Sequence, residues 1–361
     1  MKADIEIIDD LTISAEERLE AASRLVRYFK PDMDAVCEID LHCHSACSDG
    51  FFAPSMKVFE AYRRKMKAVA IADHDLFDGQ REALAAGRIF GVDVIAAAEF
   101  YTDRPGIEII AHFPDTEHFF AQLDKHVFDE TVEPLRKAKV KQISFMIARI
   151  PECFAKLNFK AEITADDIEK YTKNGITNKG GISVVMTQKY GAELARLGLS
   201  SDVKDFQARY TTQDKHLNMP LALDMDISAL AFVKKIRGWG GLPGLPHPTE
   251  LRKKEHLGNK ELETLISNLA EVGLQTIEVD GWRNGICPET GLHQTVLFEK
   301  MRNDYNNSHP DRLPLLFTNG SDDHNQPGEG LELGCGKNRN LNPAFGKYEN
   351  ISVLRKRQKE L

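Results

Sequence analysis

Four short apolar runs in the first third of the chain each lead to a side chain that can bind a metal ion, and this recurrence limits the fold more than any other feature. Residues 36–39 run into Asp40-Leu41-His42-Cys43-His44, and residues 67–72 deliver Asp73-His74-Asp75. Residues 92–98 lead to Glu99, and residues 107–111 end on His112. In an extended backbone residues two apart share a face, so His42 and His44 point one way and Cys43 the other. Asp49 follows on a loop closed by Gly50, and two imidazoles with a carboxylate suit a divalent transition metal. Helical segments separate most of these runs, a rhythm that predicts a parallel sheet. In a parallel barrel the functional side chains collect where the strands end, whereas histidines serving only the core would be scattered along them.

The remaining segments extend that plan. Residues 14–29 begin with Ser14 and, three positions on, Glu17, a capping-box signature, and Pro31 stops the helix. Further helices are expected over 54–67 and 81–90. From Pro114 to Gly240 the rhythm breaks and helical patterns dominate, over 117–127, 133–150, 166–171, 183–197 and 228–237. Arg136, Lys137, Lys139, Lys141 and Arg149 make the second of these basic, which reads as a solvated helix face or, near a catalytic mouth, as a surface that draws in an anion. Strands resume with 241–246, where two prolines predict an edge or strongly bent element ahead of His247-Pro248. A helix over 261–272, a strand over 274–279, a helix over 295–305 and a strand over 313–318 follow. The last opens into Asn319-Gly320-Ser321-Asp322-Asp323-His324, with Asp322 and His324 again two apart. The expected organisation is an N-terminal helical extension (1–35), a barrel built from 36–113 and 241–340, a helical insertion (114–240) and a C-terminal tail (341–361).

Composition narrows the class of protein. With 361 residues, 42% apolar and 28% charged, the chain can bury a large core. No run approaches the roughly 18–20 apolar residues of a membrane span, and the N-terminus lacks the plan of a secretory signal, so a cytoplasmic protein is expected. The six cysteines form no C-x-x-C pair and read as reduced, with Cys43 a core thiol. A net charge of −8 argues against an extended nucleic-acid-binding surface.

The strand-end residues, in this order, closely resemble the polymerase and histidinol phosphatase (PHP) superfamily. The matching motifs are Asp-Leu-His-Cys-His-Ser with Ser-Asp-Gly, Ala-Asp-His-Asp with Asp-Gly, Glu99, His112, His247-Pro248 and Gly-Ser-Asp-Asp-His. The resemblance implies a distorted seven-stranded (β/α)7 barrel with two or three divalent metal ions, zinc, manganese or iron. The positions implied as ligands are His42, His44, Asp49, His74, Glu99, His112, His247, Asp322 and His324. The long insertion, followed by Trp239-Gly240-Gly241, is similar to the subgroup that includes nucleoside-monophosphate phosphatases and 5′ to 3′ exoribonucleases, with a helical cap over the barrel. That subgroup carries an Arg and a His after a glycine in the cap, where this chain has Asn178-Lys179-Gly180-Gly181-Ile182-Ser183.

The implied chemistry is hydrolysis of a phosphate ester on a small nucleotide or short oligonucleotide. Bound cations make hydroxide accessible at neutral pH and neutralise the phosphoryl group. Glu99 belongs to the cluster serving the nucleophile, and His247 or His324 is expected to assist the leaving group. Lys179, Arg104 and Arg283 are candidates for gripping phosphate. Asp73 and Asp75 either orient His74 or cap the loop. A non-catalytic PHP domain and an amidohydrolase are the alternatives, although all nine implied ligand positions are present and the closing Ser-Asp-x-His fits an amidohydrolase less well.

Overall fold

The computed structural model describes residues 2–104, 106–164, 166–168, 179–211, 217, 227–254, 257–279, 290, 293–325, 332–335 and 341–361. Seven strands form one curled α/β sheet in chain order: β1 (Ile39–Cys43), β2 (Ala68–Ile71), β3 (Asp93–Tyr101), β4 (Glu108–Phe113), β5 (Leu242–Leu245), β6 (Thr276–Glu278) and β7 (Leu316–Thr318). The segment after β7 lies along β1. Leu41 N donates to Asn319 O (2.9 Å), Asp322 N to His42 O (2.8 Å) and His44 N to Asp323 O (3.0 Å).

The sheet is not wholly parallel, which corrects the expectation from the strand rhythm. β4 runs antiparallel to both β3 and β5, pairing Tyr101 with Glu108 and Ala97 with His112. Its direction follows from connection length. Only residues 102–107 join β3 to β4, and a parallel crossover needs roughly a dozen residues or more. β5 is also not an edge, because it pairs with β4 on one side and β6 on the other. Pro243, the one proline within β5, is tolerated because the strand is four residues long and its carbonyl still accepts from Gln275 N at 2.8 Å. A Cβ on Gly244 would lie 2.3 Å from Thr276 Oγ1, so only glycine admits this approach.

Helices α1 (Lys2–Ile8), α2 (Ala15–Tyr28), α3 (Pro54–Arg63) and α4 (Gln80–Phe90) join the outer apolar layer, where α2 carries the expected capping box between Ser14 and Glu17. The inner face uses alternate residues, Ile39 and Leu41 of β1, Ala68 and Ala70 of β2 and Ile95 and Ala97 of β3. It is filled by Ile351 and Leu354 of a helix over Glu349–Lys359. What read as a tail is therefore structural. Arg355 Nη2 bonds both Asp93 carboxylate oxygens at 2.8 Å, and Gln358 reaches Gly240 O and Asp115 N (2.8 and 2.7 Å). These partners sit where the parallel strands begin, so the helix closes the end of the sheet away from the ligand-bearing ends.

Between β4 and β5 the described residues include α5 (Thr116–Leu123), α6 (Asp129–Ala155) and helices over Lys179–Arg196 and Ala229–Gly238. Residues 169–171 of the expected helix 166–171 lie outside the described residues. Val132 and Leu135 of α6 join the core around the sheet, whereas its Ile143, Met146, Ile150 and Phe154 join a second apolar cluster with Ile182, Met186 and Phe206. One uninterrupted helix thus passes through two cores. No helix among the described residues is long and apolar enough to cross a membrane.

Candidate metal centre

β1 presents His42, and His44 follows directly; both side chains are fully buried. The next loop carries Asp49 and is fastened by Asp73, whose carboxylate accepts from Ser45 N (2.8 Å), Ser45 Oγ (2.6 Å) and Ser48 Oγ (2.6 Å). Asp73 therefore holds this loop, and Asp75 accepts from Tyr101 N at 3.2 Å. The loop after β7 brings in Asp322 and His324. Between them, Asp323 is anchored to the fully buried Lys57 of α3, whose ammonium donates to Asp323 O (2.7 Å) and Oδ2 (2.8 Å). His247 and Asp322 adopt left-handed backbone, at φ 25° and 54°. Such strain costs about 1–3 kcal/mol per residue and persists where the surroundings enforce a side-chain position.

Among the described residues, three groups of side chains place ligand atoms within 4.8 Å of one another: His44, Asp49, His74 and His324; His42, His44, Glu99 and Asp322; and Glu99, Glu108 and His247. Glu99 is central. Its Oε2 lies 3.3 Å from His42 Nε2, 3.4 Å from His44 Nε2 and 3.4 Å from His74 Nδ1, while Oε1 is 2.8 Å from His247 Nε2.

The charge balance fits divalent cations. Burial resists charge on Glu99 and Asp49, yet the histidines around each hold both carboxyls well below the usual carboxylate range. Burial also pushes the His74 imidazole down to about 3, leaving it neutral at pH 7. His44 Nδ1 and His74 Nδ1 are buried without a hydrogen bond. Anionic oxygens beside imidazole nitrogens are the donors that zinc, manganese or iron accept. The Cys43 thiol faces away, donating to Ala70 O at 3.3 Å.

Eight of the nine expected positions fall within these groups, and His112 does not. Its Nε2 bonds Leu41 O at 2.8 Å. The reversal of β4 is the cause: its C-terminal end points away from the other strand ends, so its start, Glu108, reaches the site instead. Glu108 Oε2 lies 3.1 Å from His247 Nε2. Of the expected phosphate contacts, Arg104 is exposed on the β3–β4 connection. The Lys179 side chain and Arg283 lie outside the described residues.

A second residue not anticipated from sequence is Glu278 of β6. Its Oε2 is 2.8 Å from His42 Nδ1, and its Oε1 accepts from His247 N at 3.2 Å. Gly320 makes room for it, since a Cβ there would come within 2.7 Å of Glu278 Oε2. A carboxylate behind a ligand imidazole fixes its tautomer and raises its basicity. Glu278→Gln is expected to weaken metal binding about 10–100-fold in a chelator competition with the full chain. Unchanged affinity would remove Glu278 from this role.

A PHP domain model matches residues 40–208. The 3′,5′-nucleoside bisphosphate phosphatase of Chromobacterium violaceum is 25% identical over 299 residues, 82% of this chain and 90% of that protein. The 5′-3′ exoribonuclease of Haemophilus influenzae is 37% identical over 81 residues, covering 22% of this chain and only 30% of the relative. The crystal structure of a candidate metal-dependent phosphoesterase from Bifidobacterium adolescentis superposes with a TM-score of 0.62 at 22% identity, over 91% of this chain and 98% of the other, a likeness of fold. Fold, site and relatives together define a metal-dependent hydrolase acting on phosphate esters. Over residues 40–208, a little under half of the chain, the sequence matches the PHP domain family.

Proposed function

We propose that this hydrolase acts on a phosphate ester of a small nucleotide or short oligonucleotide, using two or three divalent cations held by the groups around Glu99. The sharing of Glu99 between two groups carries this reading, because adjacent cations clamp the entering and leaving oxygens of an in-line displacement. His42 and Asp322 would hold one cation with Glu99, and Asp49, His74 and His324 a second, His44 serving one of the two through the single lone pair of a neutral imidazole; Glu108 and His247 would complete a third position with Glu99. Bound cations supply positive charge to the phosphoryl oxygens and bring the acidity of water into the neutral range. A histidine can donate a proton only while it is not bound to a cation, and in that state His324 is the better placed of the two expected donors, its side chain 18% exposed against 4% for His247. The nucleotide class rests on the bisphosphate phosphatase relative, which aligns over most of both chains.

Removing metal with a chelator is expected to cut phosphate release at least about a hundredfold, with zinc, manganese or ferrous iron restoring it. The assay compares nucleoside bisphosphates, nucleoside monophosphates, 5′-phosphorylated oligonucleotides and sugar phosphates. Faster turnover of sugar phosphates would overturn the substrate class, and retained metal with no turnover of any ester would leave a non-catalytic binding domain.

A further inference from the structure

The basic stretch of α6 resolves into side chains with different surroundings. Arg136 makes a bidentate pair with Asp78, at 2.7 and 2.6 Å. Arg149 lies over the Phe145 ring, and Lys137 and Lys141 are exposed. Lys139 differs. Its ammonium nitrogen is buried yet makes no hydrogen bond, and it sits 5.8 Å from the centre of the Tyr101 ring. Tyr101 is the last residue of β3. Its ring stacks on His74 with centroids 4.4 Å apart, and its hydroxyl lies 3.2 Å from His74 Nε2. The Lys139 charge therefore stands one aromatic ring away from the group formed by His44, Asp49, His74 and His324, and its field is felt at both His74 and Asp75.

A buried ammonium without an acceptor is costly, and a cation–π contact recovers only part of its lost hydration. We propose that Lys139 is a substrate-binding residue, donating from α6 to a phosphate oxygen of the ester held at the metal groups. The ligand class is a phosphate monoester or inorganic phosphate, whose oxygens offer the missing acceptors. The position of Lys139 along the helix supports this role. It falls between Leu135, packed in the core around the sheet, and Ile143, packed in the second cluster, so helix packing on both sides fixes where the ammonium points.

This inference rests on the phosphoesterase reading, and its test separates the two. Inorganic phosphate is titrated into the metal-loaded full chain by calorimetry for the wild type, Lys139→Met, Lys139→Arg and, as a control, Lys137→Met. The expected result is a Kd about tenfold or more higher for Lys139→Met. Lys139→Arg should recover most of the loss, and Lys137→Met should match the wild type, with metal content and Tm equal throughout. For nucleoside monophosphate hydrolysis, Lys139→Met should raise KM by a similar factor. Wild-type affinity for phosphate in Lys139→Met, or no phosphate binding by the wild type, would overturn the proposal. Phosphate binding that depends on Lys139 in a protein that hydrolyses no ester would uphold it and overturn the phosphoesterase reading instead.

Discussion

Replacing Glu99 by glutamine is expected to lower phosphoester hydrolysis by about a thousandfold or more, equivalent to about 4 kcal/mol of transition-state stabilisation. The side chain keeps its shape but loses the charge that four histidines surround, at 2.8–3.4 Å. A neutral amide also offers one oxygen where the carboxylate offered two, so it cannot serve two groups at once. Elemental analysis of the purified variant should show at least one equivalent of metal fewer than the wild type, with the far-UV circular dichroism unchanged. Full metal content with full activity would refute the placement of Glu99 at the junction of the sites.

Lys57→Met is expected to produce the largest loss of stability, about 3–5 kcal/mol, because the Asp323 carboxylate would stay buried without its cation. Asp323 is only 2% exposed, and its other close donors are the backbone amides of Asn325 and Glu332, both at 3.4 Å. A fall of several degrees in Tm should accompany the change. Because Asp322 and His324 flank the anchored residue, metal affinity should fall as well. The double variant Lys57→Met, Asp323→Asn should recover much of the stability, since no uncompensated charge then remains. A single variant that melts with the wild type would show that the pair contributes nothing.

Much of this site was legible from sequence because strand-end ligands obey simple geometry. The two-residue spacing of His42 and His44, and of Asp322 and His324, is enough to place each pair together. The error at His112 arose from treating every apolar run as parallel to the last, although the six residues between β3 and β4 already exclude a crossover. Glu108 and Glu278 were missed for a related reason. Each interrupts an apolar strand pattern, Ile-Glu-Ile-Ile and Thr-Ile-Glu-Val, and a carboxylate in a buried strand demands compensation. That demand is readable, but the identity of the partner is not, since His42 lies 236 residues from Glu278. The C-terminal helix escaped notice because its sequence is mostly polar. Ile351 and Leu354 are the apolar residues of its buried face, and they acquire meaning once a curled sheet exists to receive them.

The continuity of α6 has a mechanical consequence. Its first turns are wedged beside Phe128, which packs against Phe77, Phe113, Phe119 and Trp239, while its later turns belong to the second cluster. A rod gripped at both ends transmits any change in either grip to its middle, where Lys139 sits. Altered packing among those aromatic rings would thus re-aim the ammonium without touching a single ligand; under the role proposed for Lys139, that is a way for substrate preference to drift while the hydrolytic chemistry stays constant.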